Sequence, residues 1–241
     1  ENRYYNFKGL NLSIETLDGL IKHNGPVKDL TKLNRILGKN FFKKKINFNL
    51  NSSLEAQIAS ISDDIAYNSH DLEDGLKSNL FNLSHLKSIS ILNEIIIKHK
   101  KKLKKHSIDL VIRQIIRDVI NEMVRDVIVT TKKNIRFYQN KNLNDIYKTK
   151  NQLVTFSNNM KKFDKQIKKF LRQNMYFNNK VNSRTNYGRK VILKLFTKIK
   201  KKPRQFINIK KYNNSNIERI ICDYIAGMTD RYAINLYNKI K

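Results

Sequence analysis

Residues 107–127 read SIDLVIRQIIRDVINEMVRDV, and this stretch decides the fold class. Its apolar side chains recur every three or four positions, which is the spacing of an α-helix with one buried face. Ser107 stands immediately before the pattern, where a serine hydroxyl can cap the first turn of a helix. We therefore predict a long amphipathic helix, whose buried stripe comprises Ile108, Val111, Ile112, Ile115, Val119, Met123 and Val127.

Two segments farther along the chain show the same helical spacing. One follows Ser157, and the other follows Ser215 and Glu218, which form a capping-box pattern. The chain has seven glycines and two prolines in 241 residues, so signals for turns are sparse. These observations predict an all-α fold. The two further stripes comprise Met160, Phe163, Ile167, Phe170 and Leu171, and Ile221, Tyr224, Ile225, Met228 and Tyr232.

Two segments lack this periodicity. Residues 98–106 are almost entirely basic, which predicts a solvated loop or the end of a helix. Residues 136–155 are polar and irregular, which predicts a connecting loop. With this loop as the division, we expect one region over residues 1–135 and a second over residues 136–241.

The net charge is the most unusual bulk property, because 49 Lys and Arg residues against 20 Asp and Glu residues give a formal charge of +29. Such a surface can neutralise many phosphates, so we expect non-specific nucleic-acid binding with a steep salt dependence. The alternative explanation is compositional drift in an AT-rich genome, since lysine, asparagine and isoleucine share AT-rich codons. The two explanations are compatible.

The single cysteine, Cys222, excludes an internal disulfide and a cysteine-rich zinc site, and it fits a reducing cytoplasm. The sequence contains no apolar run of membrane-spanning length and no signal-peptide pattern. We therefore expect a cytoplasmic protein without a membrane partner. The first residue is Glu1 rather than Met, which leads us to expect a fragment boundary there.

One window departs from the basic composition of the chain. Residues 46–76 contain no Lys or Arg, although about one residue in five of the whole chain is basic. Ser52 and Glu55 predict a capping box for a helix through this window. At about 100° per residue, an apolar stripe and a polar stripe lie on opposite faces of that helix. The apolar stripe comprises Leu54, Ile58, Ile61, Ile65, Leu72 and Leu76, and the polar stripe comprises Asp63, Tyr67, His70 and Asp71.

Small side chains accompany the carboxylates of this window. Ala56, Ala59, Ser60 and Ala66 would allow another element or a ligand to approach the helix closely. A divalent metal such as Mn²⁺, Mg²⁺ or Fe²⁺ is a suitable counter-charge for Asp and His side chains. The alternative is an amphipathic helix with a solvated acidic face, and the pattern by itself leaves both interpretations open.

Three segments carry a resemblance to a known family. The first contains GLNLS at 9–13, ETL at 15–17 and KHNGP at 22–26; the second contains EAQ at 55–57, DDIAY at 63–67 and HDLEDGL at 70–76; the third is DYIAGMTDRYA at 223–233. In wording, order and spacing they resemble bacterial deoxyguanosine triphosphate triphosphohydrolase-like proteins of the HD superfamily. A weaker similarity covers residues 160–196.

The resemblance implies a helical hydrolase that converts a deoxynucleoside triphosphate, with dGTP the expected substrate, into deoxynucleoside and tripolyphosphate. It implies that Asp63 is the last of the family's ligands to a divalent metal. Tyr67 matches a tyrosine that packs against the deoxyribose, and Asp71 matches an aspartate that bonds the sugar hydroxyl. Lys22 matches a lysine near the triphosphate. Tyr176 matches a further substrate tyrosine, although the basic residues usual around it are absent.

The resemblance also implies that parts of the family's site are missing. His70 and Asp71 form a His-Asp dipeptide, but by position they are not the family's metal-binding pair, which lies upstream with another metal-binding histidine. We therefore expect an HD-superfamily helical domain that lacks its N-terminal metal-binding helices and keeps the third metal-ligand helix at about residues 52–78. Because Asp63 alone is a poor metal site, we expect neither tight metal binding nor turnover from this chain by itself.

Two function classes compete. The first is a metal-dependent phosphohydrolase that forms homo-oligomers, as the resemblance implies, and the second is a basic helical nucleic-acid-binding protein without catalysis. The cation-free window favours the hydrolase, because a module that binds phosphates has no reason to keep cations away from one helix. For His23, next to Lys22, we expect a packing role.

Overall fold

The computed structural model describes residues 4–7, 9–38, 46–139, 142–208 and 216–240. Every regular element within these residues is helical, which confirms the all-α prediction. The α-helices are α1 (Ile14–Ile21), α2 (Thr31–Leu37), α3 (Leu54–Lys77), α4 (Ser90–His99), α5 (Ile108–Tyr138), α6 (Leu143–Lys148), α7 (Asn158–Leu171), α8 (Asn179–Lys201), α9 (Ile217–Ala226) and α10 (Asp230–Lys239). Single 3₁₀ turns span His85–Ser88, Lys102–Lys104 and Pro203–Gln205, and a π-helical turn spans Arg172–Tyr176.

The chain divides into two compact units, residues 1–172 and residues 173–241. The division that we expected at residue 135 falls inside the first unit, and as a statement about the family's regions it stays a prediction. No helix in the described ranges combines the length and the hydrophobicity that crossing a bilayer requires.

α5 lies at the centre of the first unit and packs against α3 and α4. Its predicted stripe is buried from Val111 to Val127, whereas Ile108 in the first turn is exposed. The predicted cap is present, because the Ser107 hydroxyl accepts the Leu110 N–H at 3.4 Å. Burying one such side chain contributes about 1.5–3 kcal/mol, so the stripe adds substantially to the stability of the unit.

α7 packs against α3 and is fixed to α5 at its N-cap residue, Ser157. The Ser157 hydroxyl caps α7, and the Asp126 carboxylate of α5 accepts both the Ser157 N–H and the Ser157 O–H, at 2.8 and 2.6 Å. The stripe predicted from the sequence is buried at Met160, Phe163, Ile167 and Leu171.

The connection over residues 136–155 is more ordered than the sequence pattern indicated. α5 continues to Tyr138, α6 follows after a short gap, and Leu153 and Val154 are buried. The buried Gln57 side chain accepts the N–H groups of Leu153 and Val154, at 2.9 and 3.1 Å, and donates to the Ser52 carbonyl at 2.9 Å. The predicted loop is therefore a structured connection that is tied to α3.

The basic segment over residues 98–106 begins as the end of a helix, as predicted. α4 ends at His99, and a 3₁₀ turn spans Lys102–Lys104. His99 is the exception to the expectation of a solvated segment, because it is buried and its Nε2 lies 2.9 Å from the Asp118 carboxylate of α5.

The second unit contains α8, which packs against α9 and α10. The stripe that we predicted as one pattern is divided between two helices, because α9 ends at Ala226 and the Thr229 hydroxyl caps α10. Ser215 lies outside the described residues, and the cap of α9 is Asn216, whose side chain accepts the Glu218 N–H at 2.9 Å. The core of this unit comprises Val191, Leu195, Ile199, Ile207, Ile220, Ile221 and Tyr237.

Candidate functional site

α3 carries most of the predicted site residues, and it begins one residue later than the sequence indicated. Ser53 is the N-cap, because its hydroxyl accepts the Ala56 N–H at 3.3 Å, whereas Ser52 is buried. Hydrogen bonds from its own backbone N–H and from Ser53 lower the pKa of Glu55. The first turn of α3 therefore holds a carboxylate that stays ionised and complements the helix dipole.

The core-facing side of α3 agrees in part with the predicted apolar stripe. Ile65, Leu72 and Leu76 are buried, but Ile58 is 50% exposed, and the prediction is wrong at that position. The reason is that Gln57 takes the buried position at this end of the helix, where its amide bonds three backbone groups. A hydrophobicity pattern cannot identify such a residue, because its burial depends on partners far along the chain.

The opposite side of α3 presents the predicted polar stripe. Asp63, Tyr67 and His70 are exposed, and Asp71 is half-buried and interacts with other groups. The Tyr67 side chain is 64% exposed. An exposed aromatic ring beside a carboxylate can pack against a sugar or base while the carboxylate accepts a hydrogen bond from the same molecule.

One lysine from another helix reaches the cation-free window. Lys168 of α7 bonds Asp64 at 3.1 Å and Asp164 at 3.1 Å, and Asp164 also accepts the Asn68 amide at 2.6 Å. Burial lowers the pKa of Lys168, but these hydrogen bonds outweigh it and leave the pKa above its ordinary value. The cluster ties α3 to α7 and engages Asp64, the direct neighbour of Asp63.

The structure places His23 beside Asp63. The His23 Nε2 lies 3.4 Å from the Asp63 carboxylate, and both side chains are about half exposed. The Ser60 hydroxyl of α3 donates to the His23 carbonyl at 2.5 Å, which fixes the backbone at this point. His23 is therefore only partly buried, and its imidazole lies beside the residue that was predicted as a metal ligand.

The sequence contains a signal that places His23 on the side of α1 that faces α3. Glu15, Gly19 and His23 are spaced four residues apart, so they follow one side of α1 and its continuation. All three line a groove of about 420 Å³ between α1 and α3. The other lining residues are Thr16, Leu20, Ser53, Glu55, Ala56 and Ala59, so the groove contains carboxylates, an imidazole and apolar groups but no Lys or Arg.

Lys22 is buried, with 3% of its side chain exposed. Its ammonium group lies 2.6 Å from the Asp18 carboxylate, donates to the Asn51 carbonyl at 3.4 Å and sits over the Tyr147 ring. Burial, followed by the charge of Asp18, raises the pKa of Tyr147. In this arrangement the charge of Lys22 is already compensated within the protein.

The residues that were predicted to hold a metal supply too few ligands by themselves. Among the described residues, no three His, Cys, Asp or Glu side chains are grouped so that they could share a metal ion. Asp63 and His23 form a pair of donors, whereas catalytic metal sites generally use three or more protein ligands. The described residues therefore do not fit a complete metal site, and we assign no metal-dependent step to them.

The His70–Asp71 dipeptide is too far from Asp63 to complete such a site. His70 follows Asp63 by seven positions in α3, which corresponds to about 10 Å along the helix axis. Ligands of one metal ion lie about 3 Å apart, given metal–ligand distances of roughly 2 Å. Tyr176 lies in the second unit, where its side chain is exposed and interacts with other groups.

Comparison with known proteins gives a consistent result. The family model of a phosphohydrolase-associated domain matches residues 154–239. The chain is 50% identical over 236 residues to a deoxyguanosinetriphosphate triphosphohydrolase-like protein of Pelagibacter ubique (strain HTCC1062). This alignment covers 98% of the present chain and 63% of the relative. Proteins of the same name from Bartonella quintana (strain Toulouse) and Caulobacter sp. (strain K31) are 36% and 34% identical over the whole chain.

The chain spans a little under two thirds of the length of these relatives, 62–63% in the three cases. The match with each of them extends over nearly all of the chain, so it includes the site helix α3 as well as the segment that the family model covers. Over nearly all of its length the chain is therefore similar, at 34–50% identity, to proteins named deoxyguanosinetriphosphate triphosphohydrolase-like.

Proposed function

We propose that this chain supplies the nucleoside-binding side of a metal-dependent deoxynucleoside triphosphate triphosphohydrolase. In this proposal dGTP is the substrate, Asp63 is one metal ligand, and the remaining ligands lie outside the described residues. The products are the deoxynucleoside and tripolyphosphate. The names of the relatives support the reaction class, and the geometry of α3 supports the assignment of residues.

The observation that carries the proposal is the exposed face of α3. Asp63, Tyr67 and Asp71 follow one another at intervals of four residues, so they form a single stripe along the helix. The carboxylate at one end can hold a cation, the ring in the middle can pack against a deoxyribose, and the second carboxylate can accept a hydrogen bond from a sugar hydroxyl. This order matches a nucleotide that lies along α3 with its phosphates toward Asp63.

Charge around Asp63 is consistent with this orientation. A triphosphate needs cations, and α3 itself offers none before Lys77, so a metal ion held by Asp63 is the counter-charge that the proposal requires. Lys22 contributes to the phosphate end on one condition. Its ammonium group must exchange Asp18 for a phosphate oxygen, a change that keeps the lysine charge compensated.

His23 is the residue of this chain that can act on Asp63 directly. An imidazole 3.4 Å from the carboxylate restricts its rotation, and the Ser60 hydroxyl holds the His23 backbone in place. For Tyr176 the resemblance alone supports a role as a further substrate tyrosine.

The test compares the chain alone with a fusion to the preceding part of the Pelagibacter ubique relative. dGTP hydrolysis is measured with Mn²⁺ or Mg²⁺, and Mn²⁺ affinity is measured in parallel. We expect no turnover from the chain alone and turnover from the fusion, because at least three ligands are needed to hold the metal. In the fusion, Asp63→Asn should lower both Mn²⁺ affinity and kcat/KM by at least about 100-fold.

Asp64→Asn is the matched control, because it removes the neighbouring carboxylate of the same helix, which bonds Lys168. It should change kcat/KM less than about threefold, since exposed ion pairs contribute little. An active fusion that tolerates Asp63→Asn would refute the assignment of Asp63. Hydrolysis by the chain alone would show that the active site lies elsewhere in this sequence.

A further inference from the structure

We propose that the lysine segment, defined as residues 98–105, is a docking surface for the phosphate backbone of nucleic acid. The proposal goes beyond the hydrolase activity and does not rest on it. Six of the eight residues are lysines, namely Lys98, Lys100, Lys101, Lys102, Lys104 and Lys105. The chain average of 49 basic residues in 241 gives about 1.6 per eight residues, so the general lysine bias does not account for this density.

The backbone of the segment is ordered, and it displays the lysines outward. All six lysines are exposed, whereas the neighbouring His99 is buried and bonds Asp118 of α5 at 2.9 Å. Backbone hydrogen bonds from Lys100 to Ile97 and from Lys105 to Lys102 close the turns at 3.1 and 3.0 Å. The six charges are therefore held on a fixed turn rather than on a loose tail.

These charges are uncompensated within the described part of the chain. None of the six lysines forms an ion pair with another described residue, and the Asp118 carboxylate, which reaches the segment, is engaged by His99. The six lysines fall within eight consecutive residues that comprise the end of α4, a turn and a 3₁₀ turn. One strand of B-form DNA spaces its phosphates by about 3.4 Å, so a cluster of six lysines can face several successive phosphates at once.

The segment suits nucleic acid better than a membrane surface. Polybasic elements that bind membranes pair their lysines with exposed apolar side chains that insert among the lipids. The apolar residue within the segment, Leu103, is half-buried, so the six lysines are not interleaved with a free apolar anchor. The exposed apolar side chains nearest to the segment, Ile97 and Ile108, belong to the flanking helices α4 and α5, and the vesicle measurement below tests whether they serve a membrane. Phosphate backbones need positive charge at suitable spacing and no apolar anchor.

The test replaces all six lysines of the segment with glutamine and measures binding of a labelled single-stranded DNA over a series of NaCl concentrations. The matched control replaces six exposed lysines of α5 and α7 that form no ion pair with a described residue: Lys132, Lys133, Lys161, Lys162, Lys165 and Lys169. Both variants carry the same net charge. Glutamine and lysine have similar helix propensities, so both variants should fold, which circular dichroism checks.

We expect the segment variant to bind at least tenfold more weakly at fixed salt. The slope of log affinity against log salt should fall by about three, at roughly 0.7 for each phosphate that the variant no longer neutralises. The control should change the slope by less than about one. Equal reductions in both variants would overturn the proposal, because binding would then follow net charge alone.

A smaller variant covers the case in which the sixfold substitution disturbs folding. Lys98→Gln, Lys101→Gln and Lys105→Gln together should lower the slope by about half as much as the full set. Binding to vesicles that contain phosphatidylserine is measured with the same proteins. Loss of vesicle binding in the segment variant, with DNA binding unchanged, would also overturn the proposal.

Discussion

Gly19 in α1 and Ala56 in α3 meet so closely that a β-carbon on Gly19 would lie 2.8 Å from the Ala56 β-carbon. This proximity determines how near α1 approaches α3. His23 lies one turn beyond Gly19 on the same side, where its imidazole is 3.4 Å from Asp63. The absence of a side chain at residue 19 therefore makes the His23–Asp63 pair possible.

Gly19→Ala should push α1 away from α3. We expect a loss of stability of about 1–3 kcal/mol, because the Ala56 methyl group is attached directly to the helix backbone and cannot rotate away. The matched control is Gly188→Ala in α8, where a β-carbon meets nothing within 4 Å. That change should stabilise the protein by up to about 1 kcal/mol, the difference in helix propensity.

Urea denaturation measures both changes, and the chemical shifts of the His23 ring report on its distance from Asp63. If Gly19→Ala were as stabilising as Gly188→Ala, α1 would not be packed against α3 in solution as the structure has it.

Gln57→Met should release the connection before α7. The substitution leaves the Leu153 and Val154 N–H groups and the Ser52 carbonyl without their partner, so we expect a loss of about 2–4 kcal/mol. Amide hydrogen exchange at Leu153 and Val154 should accelerate more than at other residues. Gln166→Met, at an exposed position of α7, is the control and should leave exchange at these amides unchanged.

The fold could be predicted from the sequence where burial follows a local pattern. In α5 and α7 the predicted stripes are the buried faces, and Ser107 and Ser157 are the caps. The spacing of apolar residues fixes a helix face directly, and a serine before the first turn needs no distant partner. For this reason the sequence alone predicts both helices and where each of them begins.

The candidate site could be predicted from the sequence only in part. The stripe of Asp63, Tyr67 and Asp71 follows from spacing within one helix, but the His23–Asp63 pair joins residues 40 positions apart. Ser53 rather than Ser52 caps α3, and the Ser52 carbonyl accepts the amide of the buried Gln57. Such interactions depend on packing between elements, which a single sequence does not encode in its periodicity.

Asn68 should couple to Asp164 across the interface between α3 and α7. The Asn68 amide is buried and donates to the Asp164 carboxylate at 2.6 Å, so Asn68→Ala should cost about 1–3 kcal/mol. Because Asp164→Asn weakens the same hydrogen bond, the two changes should not add. A double-mutant cycle by urea denaturation should give a coupling of at least about 0.5 kcal/mol, and strict additivity would contradict the direct hydrogen bond.

The second unit should lose stability at high pH through Tyr224. A hydrogen bond with Tyr232, followed by burial, raises the pKa of Tyr224 to about 12. Because the folded-state pKa lies above the ordinary value of about 10, the stabilisation is fully present below pH 10 and is lost as the pH rises toward 12. Tyr232→Phe should bring the pKa of Tyr224 back toward 10.

Carbon-13 NMR of the tyrosine Cζ atoms follows this titration residue by residue. Tyr187→Phe is the control, because Tyr187 packs edge-to-face on Tyr237 and its ring is retained in the variant. An unchanged Tyr224 titration in Tyr232→Phe would show that the two hydroxyls do not interact.

The hydrogen bonds from Ser157 to Asp126 and from Val154 to Gln57 have a consequence for how this protein can be taken apart. The segment that matches the phosphohydrolase-associated domain starts at residue 154, yet its first helix, α7, is fixed to α5 and buries its apolar side against α3. A fragment that begins at residue 154 would lack α3 and α5, so the apolar side of α7 would lose these packing partners. The second compact unit begins at Gln173 and leaves α7 in the first unit, so the stretch that sequence comparison recognises and the stretch that packs as one unit differ by the whole of that helix.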